Sequence, residues 1–379
     1  MSTATTTEAF SEEFVAFHAG SKPSYRKVLK GAELKPTFNE IPVIDFTDID
    51  SSSLATRKAL GKLLYQTCSE VGFFYAKGHG IPQSVLDETL SALKKFFELD
   101  HDTKMTAHLH KNPAIRGYEP MGETKLDPKS NGDTKEAFTM GDDLLELEQN
   151  YPSNLPIPAN AIPQNIWPAG APWFRKALYR YYHHVFPFAM QLVRLIALVL
   201  CDDDHAFDDM FKFPITGMRA LHYPPRPVEM KNYIGLGAHA DFTWITLVLQ
   251  DSVPALQVLN ANGVWIPAPV IPGAFVCNVG QYLERHTNGI FPATVHRVAN
   301  LTGDSRYSLA FFLTPDPDAV VEPLKECVGE SERKYDAINV GDLYIRRILA
   351  ARQKHPTAKK YKDTPEQELK YDILFKSIA

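Results

Sequence analysis

From Gly217 onward the chain is written in short β-branched and aromatic runs broken by Pro, Gly and Asn. The runs fall at 218–223, 245–249, 256–259, 265–267, 274–279, 293–298 and 308–313. Asn262-Gly263, between two of them, is a strong hairpin turn. Strands this short and this closely spaced indicate a β-sandwich or jelly roll. A long helical segment precedes them, opened by Pro172 and nearly apolar over its second half. A helix apolar on all sides is buried, so this one is expected to prop the sheet from behind.

The first half reads as mixed helix and strand. Ile41-Pro42-Val43-Ile44-Asp45-Phe46 is a short strand, and Ser51-Ser52-Ser53 offers cap oxygens for a helix over about 54–71. Gly72-Phe73-Phe74-Tyr75-Ala76 is a second strand, stopped by Gly78-His79-Gly80. Pro82 suits the first turn of a helix with Val85, Leu86, Leu90, Leu93, Phe96 and Phe97 on one stripe. Residues 1–40 are polar and irregular, with one short helix expected around 12–18. Residues 111–172 are rich in Pro, Gly, Asn and Asp, a long irregular stretch of the functional or mobile kind. Charge returns after Asp318, and a last helix is expected over 338–352, with Tyr344, Ile348 and Leu349 on its apolar side.

A formal net charge of -5, with no lysine-arginine run, argues against a general nucleic-acid binder. Cys68, Cys201, Cys277 and Cys327 form no CxxC pair and read as reduced thiols. The Ser/Thr/Ala-rich N-terminus lacks the apolar core of a secretory signal. The most apolar stretch, 186–200, contains Gln191 and Arg194 and is short for a membrane span. A soluble cytoplasmic protein is the expectation, with no membrane and no nucleic acid among its partners.

Chemistry concentrates in Gly237-Ala238-His239-Ala240-Asp241-Phe242. On an extended strand, residues two apart project from one face, so His239 and Asp241 converge. A surface His beside a turn Asp gives the same letters. The Gly-rich approach, the apolar strand that follows and a distant His296 on a later expected strand favour metal binding. Two His and one carboxylate with open positions is the arrangement of non-haem Fe(II) oxygen chemistry. Arg306 and Ser308 share a strand face ahead of Leu309-Ala310-Phe311-Phe312-Leu313. A buried guanidinium there needs an anion. That anion is either a protein carboxylate or a small dicarboxylate ligand, which Ser308 would help to hold. Tyr223, ending an expected strand, reads equally as a core residue or as a phenol pointing into the barrel.

Taken in order, these motifs resemble the isopenicillin-N-synthase-like branch of the Fe(II)/2-oxoglutarate-dependent dioxygenases. The matching segments begin with Ile41 to Phe46, Gly72-Phe73-Phe74 through Gly78-His79-Gly80-Ile81, Tyr223-Pro224-Pro225 and Gly237 to Asp241. They continue with Leu256-Gln257-Val258, Asn278-Val279-Gly280, Thr287-Asn288-Gly289, His296-Arg297-Val298 and Arg306-Tyr307-Ser308. The resemblance implies an α+β fold, a double-stranded β-helix (jelly roll) core with flanking N-terminal and C-terminal helices. It divides the chain into an arm (1–40), an N-terminal dioxygenase region (41–145) and a connecting segment with the long buried helix (146–215). The jelly-roll core (216–318) and a C-terminal helical segment (319–379) follow. It implies Fe(II) on His239, Asp241 and His296, and 2-oxoglutarate on Arg306 and Ser308 with Tyr223 nearby.

The implied reaction uses O2, with ascorbate as a candidate reductant. It decarboxylates 2-oxoglutarate to succinate and oxidises a small organic molecule by hydroxylation, desaturation or cyclisation. Secondary metabolism is the expected setting. Two departures bear on this. Many relatives carry Asn where this chain has Leu221, so the proximal carboxylate of the cosubstrate is held differently here. The chain also ends without the C-terminal Gln of isopenicillin N synthase, which weighs against a cosubstrate-free oxidase, the alternative reading. A zinc site on the same barrel and a non-catalytic binding protein are further alternatives. Tyr118, Phe138, Phe242, Trp244, Phe291 and Tyr344 are the expected pocket-lining positions around the small-molecule substrate. Lys135-Glu136-Ala137-Phe138 is read as architectural.

Overall fold

Side-chain alternation along the strands sorts this chain into an inner and an outer face. The computed structural model describes residues 13–18, 23–123, 134–141, 165–225, 235–330 and 332–376. The first strands and helices are β1 (Phe14–His18), β2 (Pro23–Lys27), β3 (Val43–Asp45), α1 (Leu54–Glu70), β4 (Phe73–Lys77) and α2 (Gln83–Phe97). Next come α3 (His101–Thr106), β5 (Gly117–Glu119), β6 (Glu136–Gly141) and α4 (Pro172–Cys201). The C-terminal half holds β7 (Ile215–Tyr223), β8 (Leu236–His239), β9 (Ile245–Gln250), β10 (Leu256–Leu259), β11 (Trp265–Pro267) and β12 (Phe275–Val279). It continues with α5 (Gln281–His286), β13 (His296–Val298), β14 (Arg306–Thr314), β15 (Val320–Val321), α6 (Lys325–Val328), β16 (Ile338–Asn339), α7 (Val340–Ala351), α8 (Pro356–Lys360) and α9 (Ile373–Lys376).

The strands form a major sheet ordered β3-β4-β12-β9-β14-β7-β6-β5 and a minor sheet ordered β11-β10-β13-β8-β1-β2, with β15 and β16 as a separate ribbon. Every pairing is antiparallel except β3 with β4 and β1 with β8. Tyr75, Ala137, Leu221, Tyr223 and Val276 of the major sheet meet Leu236, Leu256, Val258 and Val298 of the minor sheet in one cluster. This is the jelly-roll interior. The opposite face of the major sheet, with Phe74, Phe138, Met218, Ala220, Leu247, Leu309 and Phe311, packs on α1, α2 and α4. The fold is α+β, a double-stranded β-helix flanked by N-terminal and C-terminal helices.

Local chemistry explains the helices that carry this face. Ser53 caps α1, its Oγ accepting the Thr56 N–H at 3.3 Å. Gly61 of α1 faces α4 closely, where a Cβ would make ordinary contact with Leu195 and Val199 at 3.4 Å. Pro172 opens α4, whose core-facing side includes Phe174, Tyr182, Phe186, Leu192 and Ile196. Each such side chain contributes about 1.5–3 kcal/mol by leaving water. At 30 residues α4 is longer than the apolar stretch expected, and by length and composition it could cross a membrane. Its inner side is instead the main support of the major sheet.

Three expectations change. The short helix expected around 12–18 is the strand β1, paired with β2 and β8. Within 111–172, β5 and β6 extend the major sheet, because Tyr118, Ala137, Phe138 and Met140 supply buried faces that the surrounding Pro and Gly obscured. The helix expected from 338 starts at Val340, capped by Asn339. Leu109 and Ile115 pack with Ile345, Leu349, Ala358, Leu369 and Ile373, joining the C-terminal helices to the N-terminal half.

Candidate metal centre and cosubstrate site

His239 ends β8 and faces His296, its direct cross-strand partner on β13. The two imidazole centroids are 4.3 Å apart. Asp241 follows just beyond the strand end. Its Oδ1 lies 3.5 Å from His239 Nε2 and 3.8 Å from His296 Nε2. One ligand atom from each of the three lies within 4.8 Å of the others. Ligand bonds of about 2.0–2.2 Å place neighbouring donors about 3–3.5 Å apart, so small side-chain shifts close this set on one ion.

The surroundings orient each donor. His239 Nδ1 lies 2.8 Å from the Gly237 carbonyl, and His296 Nδ1 lies 3.2 Å from that of Thr294. A carbonyl can only accept, so each Nδ1 carries the proton and each Nε2 keeps its lone pair for a metal. Burial, and then the neighbouring His239, push His296 down to about 4, so its ring is neutral near pH 7. Burial opposes ionisation of Asp241, but His296, His239 and the Asn278 amide outweigh it and hold the carboxyl well below its ordinary range. Asp241 Oδ2 accepts from Thr246 Oγ1 at 2.7 Å and from Asn278 Nδ2 at 2.8 Å, fixing the other oxygen toward the imidazoles. Two imidazoles and one carboxylate, each held by an outer partner, fit Fe(II).

Arg306 lies on the same interior face. It is 1 % exposed, and its guanidinium donates to Ser308 Oγ at 3.2 Å and Gln250 Oε1 at 3.1 Å. Tyr223, its direct partner on β7, offers a ring face 5.1 Å away. Among the described residues no carboxylate forms an ion pair with it. Asp251, which feels its charge, is engaged by the Tyr307 and Val253 amides instead. A buried cation without an anion is costly, and the surrounding Ser, Gln and Tyr oxygens are neutral. The site therefore fits a carboxylate ligand such as the distal end of 2-oxoglutarate. Leu221, opposite Ser308 and 6 % exposed, puts an apolar wall beside this pair.

The six expected pocket positions separate. Tyr118, Phe138, Trp244 and Phe291 lie in the core on the helix-facing side, so this part of the expectation is corrected. Tyr118 and Phe138 belong to the outward face of their strands. Trp244 packs on Phe207 and Phe211, and Phe291 on Tyr65. Phe242, next to Asp241 in the chain, and Tyr344 are half-buried, with ring centroids 5.9 Å apart. Thr246, Gln250 and Phe312 were missed from the sequence, and Asn278 was noted only as part of a motif. The available signal was a polar residue inside an apolar strand, as at Thr246, Gln250 and Asn278.

With this geometry in place, the comparisons are specific. Residues 41–170 match the family model described as non-haem dioxygenase in morphine synthesis N-terminal. Residues 214–315 match that of the 2OG-Fe(II) oxygenase superfamily. The chain belongs to the 2OG-Fe(II) oxygenase superfamily. It is a non-haem Fe(II)- and 2-oxoglutarate-dependent oxygenase. It is 32% identical over 346 residues to the 2-oxoglutarate-Fe(II) type oxidoreductase ppzC of Metarhizium rileyi, covering 87% of this chain and 92% of that protein. It is 34% identical over 301 residues to the homoarginine-6-hydroxylase 2-ODD-C23 of Glycine max, covering 76% and 89%. Full-length Neurospora crassa T7H in complex with alpha-KG superposes with a TM-score of 0.71 at 28% identity, over 82% of this chain and 96% of that one.

Proposed function

We propose that His239, Asp241 and His296 hold the Fe(II), that Arg306 and Ser308 hold the distal carboxylate of 2-oxoglutarate, and that Tyr223 braces the guanidinium. The observation that carries this reading is the pairing of a two-imidazole, one-carboxylate set with a buried arginine that has no protein anion among the described residues, on adjoining walls of one barrel. Fe(II) bound there, with 2-oxoglutarate and O2, supplies oxidising power while 2-oxoglutarate goes to succinate and CO2. The chain's part is placement. Thr246 and Asn278 keep Asp241 ionised and aimed, and the Gly237 and Thr294 carbonyls set the imidazole tautomers. The fixed geometry decides which substrate C–H bond faces the metal.

The substrate is a small organic molecule in this proposal, flanked by Phe242, Tyr344 and Phe312. Phe312 shares the interior face with Arg306 and Ser308 and stands directly opposite Thr246. Gly217, its partner on β7, leaves the ring open on that side. Neither Phe242 nor Phe312 joins a core cluster, and both are half-buried. Two aromatic faces suit a flat, partly unsaturated substrate. T7H in complex with thymine, 27% identical to this chain, supports that class. The name homoarginine-6-hydroxylase supports hydroxylation among the possible outcomes. Similarity to fungal 2-oxoglutarate-Fe(II) type oxidoreductases supports a role in secondary metabolism.

The test is succinate release from the Fe(II)-loaded enzyme with 2-oxoglutarate, screened across planar heterocycles and amino acids including thymine and homoarginine. A true substrate raises succinate in step with its own oxidation. Asp241→Ala is expected to lose both metal binding and turnover. Full activity in that variant would refute the metal assignment.

A further inference from the structure

Ala240 lies between the two local donors, bonded directly by β1 and reached by α7 through Gln281. Its N–H donates to the His18 carbonyl at 2.9 Å, where β1 pairs in parallel with β8 at His18 and His239. Its carbonyl accepts from Gln281 Nε2 at 3.1 Å, and Arg347 of α7 donates to Gln281 Oε1 at 3.2 Å. The Gln281 N–H donates to the Asp241 carbonyl at 2.8 Å. Gly280 admits this approach, since a Cβ there would lie 2.0 Å from the Thr243 carbonyl oxygen. The hairpin of β1 and β2 is itself anchored. Val15 and Phe17 pack with Ala240, Leu259, Ala293 and Val295, and Arg26 donates to the Leu259 carbonyl at 2.9 Å and that of Asn260 at 3.2 Å.

We infer that the β1–β2 hairpin and α7 are positioning elements of the metal centre, clamping the peptide that joins His239 to Asp241. Both lie outside the two segments matched by the family models, 41–170 and 214–315. The shared family core supplies the donors, and these two peripheral segments set the spacing between two of them. A short loop with an unpaired amide would let His239 and Asp241 move independently. The Ala240 N–H bond extends the ladder past the last residue of β8, and the Gln281–Arg347 relay fixes the other side of the same residue. Outer partners of metal ligands govern affinity by about 10–100-fold, and a backbone clamp acts through the same freedom of the donors.

The inference rests on the metal assignment proposed above, and Mn(II) affinity separates the two. Mn(II) is titrated into the metal-free protein by isothermal calorimetry, well below the melting temperature. Hydrogen exchange at the Ala240 amide is followed in parallel. A chain lacking residues 1–27 is expected to bind Mn(II) about tenfold more weakly and to exchange the Ala240 amide faster, and Arg347→Ala to weaken binding in the same sense. A hairpin that merely adds stability would lower the metal-free melting temperature and leave the affinity alone, which would overturn the inference. If the truncated chain does not fold, Arg26→Ala in the full chain decides. Weaker Mn(II) binding supports the clamp, and unchanged affinity overturns it. Full-length protein that binds no Mn(II) overturns the metal assignment along with it.

Discussion

Two arginines on the interior face of the major sheet live by opposite rules. Arg219 on β7 donates to both carboxylate oxygens of Glu119, at 2.9 and 3.0 Å. Lys135 and Arg352 also pair with that carboxylate, which is 1 % exposed. Arg306, as deeply buried, has among the described residues only neutral partners, in Ser308, Gln250 and Tyr223. Glu119, Ala137, Leu221, Ser308 and Gln250 lie side by side along one row of the sheet. Three strand spacings separate Glu119 from Ser308, about 14 Å. Glu119 therefore cannot serve Arg306. The first arginine is neutralised from within the chain and acts as structure. The second pairs with no carboxylate among the described residues, and the proposed function gives it to a ligand.

The largest effect tests the neutralised region. Glu119→Gln keeps the shape and removes the charge, leaving Lys135, Arg219 and Arg352 around an uncharged amide. Breaking a buried pair by removing one partner costs about 3–5 kcal/mol, and chemical denaturation should show a loss of that order. The pH dependence gives the sign. Burial alone would raise the Glu119 pKa, but Arg219, Arg352 and Lys135 hold it well below 4.5. Its contribution is therefore present above about pH 4.5 and is lost as the pH falls toward the folded-state value. Wild type should lose stability through that acid window, and Glu119→Gln should lack this part of the slope. Equal stability of variant and wild type at neutral pH would break the comparison.

This difference also marks what could be read from the sequence. The convergence of His239, Asp241 and His296 was legible because two of them are local and the third follows a β-rich run with its own motif. The jelly roll was legible because its strands are short, apolar and punctuated by turns such as Asn262-Gly263, whose Gly has φ 77. The Glu119 network was not. Its members come from β5, the residue before β6, β7 and the end of α7, and only the folded sheet brings them together. Nothing in Gly117-Tyr118-Glu119 distinguishes a buried carboxylate from a loop residue. Tyr118 and Phe138 left the expected pocket for a related reason. Tyr118 and Phe138 sit on real strands, but which face each presents depends on register against β7, and register is a tertiary fact. The β1–β2 hairpin was missed because Pro23 and the polar residues around it mask a pairing with β8 from far along the chain.

A smaller effect is expected at the other arginine, and it should appear in binding rather than in folding. Arg306→Met keeps the bulk of the side-chain stem and removes the charge. If the proposed clamp is right, the KM for 2-oxoglutarate rises by a charge-assisted interaction, about 1.5–3 kcal/mol, or roughly ten- to a hundredfold. Stability without cosubstrate should change far less than in Glu119→Gln, because no buried anion is abandoned. A large stability loss with an unchanged KM would place Arg306 with Arg219 as structure and erase the distinction.

The smallest effect gives the finest reading of the clamp. Ser308 Oγ accepts from Arg306 at 3.2 Å, and its own hydroxyl hydrogen remains available to a carboxylate. Ser308→Ala removes that donor and one support of the guanidinium but leaves the charge. A single hydrogen bond contributes about 0.5–1.5 kcal/mol, so the 2-oxoglutarate KM should rise roughly two- to tenfold. The rise should be smaller than in Arg306→Met. It should also nearly vanish when Ser308→Ala is added to Arg306→Met, because both then act on one carboxylate whose main anchor is gone. Independent, additive effects would mean that Ser308 meets a different part of the ligand, and the two-point clamp would reduce to the arginine alone.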